Sequence, residues 1–224
     1  MEEAERNSPV EPLDRKSELV RRIAVALRGH DGAKTSSGRA AGHAEPCTRA
    51  DTIALFRDRF EANGGNFIEC PSPEAILPAL GEALRLSGVA GLFFPEDDAG
   101  ARQMAEALVP FGPFTLVSSA EALQPSPPQT AGFQTADYAV AETGSIVQTS
   151  LGGKTLLPGL LADVHVALVS RAALVDRMDD CMAALADAPP RNISFLSGPS
   201  RTADIEQTLT IGAHGPRKMI AVLV

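Results

Sequence analysis

From Asp51 onward, short apolar runs alternate with amphipathic segments of about a dozen residues, and this rhythm constrains the fold more than any other feature. Residues 51–63 carry Ile53, Leu55, Phe56 and Phe60 at helical spacing and stop at Asn63-Gly64-Gly65. A short strand is expected over 66–69. A helix should start at Ser72-Pro73-Glu74 and run to about Leu86, kinked or split where Pro78 and Gly81 interrupt it. The run 89–94 has strand length and no polar residue, 96–109 is helical, and 114–118 is a further strand. Strands separated by helices in this way build βαβ units, and runs apolar on both faces belong to a parallel sheet covered on both sides.

The second half departs from that rhythm. Residues 124–129 are proline-rich and form a loop, while 137–142 and 145–149 read as a strand pair around Thr143-Gly144. A central strand is expected over 164–169, a helix over 176–186 and a strand over 193–196. A short helix is expected over 202–209 and a last strand over 219–223. The expected class is α/β, an open, mostly parallel sheet flanked by helices.

Residues 1–50 are set apart as an N-terminal helical arm and flexible linker, with residues 51–224 as the α/β domain. The arm has an amphipathic helix over 14–28, then a Gly-, Ser- and Ala-rich stretch without apolar periodicity. Its nine basic and eight acidic residues nearly cancel, whereas 51–224 carries 11 basic against 20 acidic side chains, a net of −9. Such a charge disfavours nucleic acid and anionic membranes. The scarcity of cations makes Lys154 and Arg201 conspicuous. No apolar stretch has the length of a membrane span, and the acidic start Met1-Glu2-Glu3 does not resemble a secretory signal. A cytoplasmic chain is expected. The three cysteines, Cys47, Cys70 and Cys181, show no CxxC spacing, so no protein-ligated cluster is expected, and Cys70 and Cys181 read as small core hydrophobes.

Open α/β sheets bind ligands beyond the carboxyl ends of their strands, and three segments place glycine and polar residues near strand ends. In the first, Glu142, Thr143, Gly144 and Ser145, a turn glycine brings a carboxylate and two hydroxyls together. Glu142 could act as a base or nucleophile there, and the plainer alternative is a polar turn. In the second, Ser197, Gly198, Ser200, Arg201, Thr202, Asp204 and Glu206 would run from a strand into a helix. Its free amides and Arg201, with Lys154, could hold a carboxylate or phosphate, and a simple capped helix is the alternative. In the third, His214 beside Gly215 is a candidate acid–base residue in a glycine-rich turn. His165, near the start of a buried strand, reads as structural. No metal-ligand spacing is present.

Taken together, "AETGSIV", "LLADVHVALV" and "ISFLSGPSRTADIEQTLTIGAHGPRKMIAVLV" resemble the LUD-domain family, in particular its LutC/YkgG branch. "ELVRRIAVALRG" and "ALFRDRFEANGGNF" resemble that family's first helix and the helix–turn that opens its core. One departure is Ala162, where the family usually has proline before its acidic–x–His. The resemblance implies a NagB/RpiA/CoA-transferase-like fold. It also implies an accessory, non-redox role in oxidising L-lactate to pyruvate with LutA-like and LutB-like iron–sulfur partner proteins, which would carry the clusters while this chain holds no cofactor. A stand-alone enzyme binding a small anion (carboxylate, phosphate or CoA ester) is the alternative, and a homo-oligomer is left open.

Overall fold

The computed structural model describes residues 48–122, 129–203, 209–211 and 215–224. The expected arm and linker lie outside these up to Cys47, as do residues 124–128 of the proline-rich loop. Helix α1, Arg49–Ala62, opens on a reciprocal cap: the Thr48 side chain accepts from the Asp51 amide, and the Asp51 carboxylate accepts from the Thr48 amide. It buries Ile53, Phe56 and Phe60 and leads into β1, Asn66–Ile68. One 3-10 turn, Pro73–Ala75, precedes α2, Ile76–Leu86. Pro78 does not split α2, because it occupies the first turn, where a missing amide costs no intrahelical bond. Then follow β2 (Gly91–Phe93), α3 (Ala99–Leu108) and β3 (Thr115–Leu116).

The central strand β4, Thr130–Thr135, has no counterpart in the sequence reading. Its residues, Thr-Ala-Gly-Phe-Gln-Thr, have neither an apolar run nor alternation, yet all six are buried. The polar ones find partners inside: Gln134 donates to the Thr155 carbonyl at 2.8 Å, and Thr135 donates to Asp98 through its amide (2.7 Å) and hydroxyl (2.8 Å). Next come β5 (Tyr138–Val140), β6 (Ser145–Thr149), the five-residue α4 (Leu157–Leu161), β7 (Val164–Val169), the short β8 (Leu174–Val175) and α5 (Met178–Ala186). The chain finishes with β9 (Ile193–Leu196), β10 (Arg201–Ala203), β11 (Leu209–Ile211) and β12 (Lys218–Leu223).

Six strands form one parallel sheet in the order β1-β12-β7-β4-β2-β3, and four form a second sheet in the order β8-β5-β6-β9. The α/β class and the parallel sheet flanked by helices are as expected. Side chains alternate across β7 and β12. Val164, Val166, Leu168, Ile220 and Val222 meet Leu80, Leu84, Met104 and Leu108 of α2 and α3. Ala167, Val169, Ala221 and Leu223 meet Phe56 and Phe60 of α1 and Ile146 of the second sheet. Both faces of the strands are thus covered, which accounts for their continuous hydrophobicity.

One expectation fails outright. Residues 202–209 do not begin and end in a helix: Arg201–Ala203 and Leu209–Ile211 are antiparallel strands, with Arg201 opposite Ile211 and Ala203 opposite Leu209. Thr202, Thr210 and Ile211 are β-branched residues suited to a strand pair, and this pairing satisfies the backbone without a helix.

Candidate functional site

Two of the three sequence segments come together around the end of α1. Gly144 turns between β5 and β6 at φ +64°, and a Cβ there would lie 2.4 Å from the Phe60 amide nitrogen. Gly198, just after β9, comes as close: a Cβ would lie 2.4 Å from the Asn63 carbonyl oxygen. Only a residue without a side chain allows both approaches. The Asn63 side-chain amide donates to the Thr143 carbonyl at 3.1 Å. Between the two glycine turns run three hydroxyls, with Thr143 Oγ1 2.7 Å from Ser145 Oγ and Ser145 Oγ 2.7 Å from Ser197 Oγ. Ser145 is buried. We call this arrangement the clasp.

Among the described residues, no carboxylate, lysine or histidine is hydrogen-bonded to these hydroxyls, so none of them stands as the adjacent base that would activate a serine or threonine nucleophile. Glu142 is engaged elsewhere: its carboxylate accepts from the Met178 amide at 3.1 Å, at the amino end of α5. There it complements the first-turn amides and the helix dipole. Lys154 pairs at 2.7 Å with Asp137, whose other oxygen accepts from the Thr149 amide and hydroxyl at 2.7 and 3.0 Å. Ser200 and Gly215 do meet, with the Ser200 amide donating to the Pro216 carbonyl at 2.8 Å and Gly215 packed on the Ser200 side chain. Asp204, Glu206 and His214 lie outside the described residues. Arg201 and Thr202 are described only as backbone in β10, so the helix start that was to hold an anion is replaced by a strand.

The location also differs from expectation. Asn63 precedes β1 and Gly215 precedes β12, so the clasp and the Gly215 turn occupy the amino edge of the parallel sheet, not the carboxyl edge. Asp163 organises that edge: its carboxylate accepts from the Thr130 amide at 3.0 Å, and its carbonyl accepts from the amides of Arg217 and Lys218. It thereby joins the starts of β4, β7 and β12. On the other face of this edge lies a hollow of about 510 Å³ lined by Asn66, Glu82, Leu86 and Lys218, with Lys218 Nζ donating to Ser87 at 3.2 Å.

His165 is fully buried, as a structural histidine should be, with Nε2 3.1 Å from the Gln148 side-chain nitrogen. Burial pulls its pKa down to about 4, so the ring is neutral at pH 7. Its Nδ1 and the side-chain oxygens of Gln134 and Gln148 have no partner among the described protein groups, a polar interior of the kind that holds buried water. Cys181 is buried against Tyr138 and Val140, and burial pushes its thiol up to about 11. Burial also raises Cys70. Both are protonated at neutral pH; Cys181 is a core residue, as read from the sequence, while Cys70 is only half-buried against the core. Among the described residues, no group of three or more His, Cys, Asp or Glu is placed to hold a metal ion. No helix among them is long and apolar enough to cross a membrane.

The carboxyl edge holds charged residues that the sequence reading did not single out. Asp98 caps α3 through the Ala101 amide (2.9 Å) while receiving Thr135. Glu69, directly after β1, accepts from Arg57 on α1 and, at 3.0 Å, from Arg171 after β7. Only Arg57 and Glu69 are near one another in sequence, so no spacing pattern announces the group.

A six-stranded parallel sheet with a second, mixed sheet packed through α1 defines an open α/β domain. The sequence model of the LUD domain matches residues 127–224, from just before β4 through β12. A lactate utilization protein C from Exiguobacterium sp. is 38% identical over 99 residues, covering 42% of this chain and 43% of that protein. Its counterpart in Halalkalibacterium halodurans is 37% identical over 99 residues, with the same coverage. The match thus spans less than half the length of these curated relatives. Among solved structures, a DUF162 family protein from Deinococcus radiodurans superposes with a TM-score of 0.54 at 18% identity. It covers 80% of this chain and 99% of that one, and supports the fold.

Proposed function

We propose that this chain serves L-lactate utilization as an accessory, non-redox subunit in the oxidation of lactate to pyruvate. In this reading it acts in the cytoplasm with LutA-like and LutB-like iron–sulfur proteins, which hold the clusters. The observation that carries the reading is the match to relatives named lactate utilization protein C, 38% and 37% identical over 99 residues. The chemistry of the clasp supports an accessory role. Its hydroxyls bond one another, Glu142 caps a helix, and the two described cysteines are held protonated by burial, Cys181 fully and Cys70 in part. The alternative of a stand-alone anion-binding enzyme loses the helix start on which its anion site rested.

The test is affinity capture of the full chain from its native cells, paired with deletion. Co-purification of iron–sulfur proteins and loss of growth on L-lactate, with growth on other carbon sources intact, are the expected results. Undiminished growth of the deletion strain on L-lactate would refute the proposal.

A further inference from the structure

We infer that the carboxyl edge of the parallel sheet carries an oxyanion site, built from Arg49, Arg57 and Arg171 around Glu69, that takes a small carboxylate or a phosphoryl group. Arg49, Ile53 and Arg57 recur every fourth residue along α1, so they share one helix stripe. That stripe faces Glu69 after β1 and Arg171 after β7 across a hollow of about 400 Å³, whose apolar wall includes Ile53 and Ala54. The volume suits a small ligand, and the position is the edge where open α/β sheets bind one.

Charge is the central argument. Glu69 is already shared, one oxygen accepting from Arg57 and the other from Arg171. Arg49 donates to the Leu174 carbonyl at 3.0 Å, a neutral partner. Two further carboxylates lie near that turn but outside the lining of the hollow: Asp51, which accepts from the Thr48 amide and hydroxyl at 3.1 and 2.6 Å, and Asp176, which accepts from the Thr52 hydroxyl. Among the residues that line the hollow, three guanidiniums face one carboxylate, in a domain whose net charge over 51–224 is −9. Each guanidinium has five donors and bonds through one nitrogen here, so further N–H groups remain for a carboxylate or phosphate. The side chains of Arg57 and Arg171 are 39% and 52% exposed, open to an incoming ligand.

The inference does not depend on the proposed role in lactate utilization. It is tested by thermal shift and calorimetric titration of the full chain with inorganic phosphate, L-lactate and pyruvate, at ionic strength held constant with sodium chloride. A saturable rise in Tm with at least one oxyanion is expected, with affinity at least tenfold weaker in R171Q and in R49Q. An exposed cation elsewhere, changed in R85Q, should leave it unaltered. A response to phosphate alone assigns a phosphoryl ligand, and one to lactate or pyruvate alone assigns a small carboxylic acid. R49Q removes only a bond to a carbonyl, so it keeps the test available if R171Q folds poorly. No response beyond that to chloride, or an equal response in parent and R49Q, would overturn the inference and leave the lactate proposal standing.

Discussion

The two edges of the parallel sheet are built from different chemistry. At the amino edge, glycines and hydroxyls touch backbone: Gly144 and Gly198 close on α1, and Thr143, Ser145 and Ser197 bond one another. At the carboxyl edge, long charged side chains meet in the open, as Arg57 and Arg171 do on Glu69. The first arrangement is close-packed and intolerant of an added methyl group. The second is solvated and adjustable. Motif-like spacing in the sequence therefore marks the edge that holds the fold together, while the edge where charged side chains cluster has no linear signature.

Substitutions should separate the two edges by size of effect. Gly144→Ala combines a left-handed backbone with a methyl group driven into the Phe60 amide, and should cost about 3–4 kcal/mol in urea unfolding. A loss below about 1 kcal/mol would mean the clasp is looser than its distances indicate.

The interior between the sheets provides a second measure. His165 has a folded pKa of about 4 against 6.5 when exposed, so between those values the unfolded chain binds a proton that the folded one refuses. Its contribution is fully present above about pH 6.5 and is lost as pH falls toward 4, by roughly 3 kcal/mol. Urea midpoints across this range should fall more steeply, by about one proton, for the parent than for His165→Asn. Equal slopes would show that the ring is hydrated.

Ser145→Ala interrupts the hydroxyl chain at its buried centre, and a loss of about 1 kcal/mol is expected. The smallest effect belongs to the carboxyl edge. Arg171→Gln breaks an exposed ion pair and should change stability by less than about 1 kcal/mol. A larger loss would mean that this edge also holds the fold together, which would erase the contrast.

Several elements were legible because their signal is local. Apolar runs mark β7 and β12 and predict burial on both faces; the periodicity of Ile53, Phe56 and Phe60 marks α1; Thr143-Gly144 marks the turn between β5 and β6. β4 was not legible, because its burial depends on Thr155 and Asp98 arriving from other parts of the chain to satisfy Gln134 and Thr135. The strand pair of β10 and β11 was missed for a related reason. Polar residues after Ser200 resemble a helix start, and only pairing across the hairpin shows them to be strands.

At the candidate site, the sequence by itself determined which residues are special: glycines where no side chain fits, short hydroxyls beside them, and a histidine in an apolar run. These requirements act through the backbone and its nearest neighbours, so they leave a mark in composition and spacing. Only the tertiary structure decided what they serve. It put Gly144 and Gly198 on the same helix end and committed Glu142 to a helix cap. It also assembled Arg49, Arg57, Arg171 and Glu69 from α1, the end of β1 and the end of β7. Charges act through space, and the order of strands in a sheet, rather than the order of residues in a chain, decides which of them face one another.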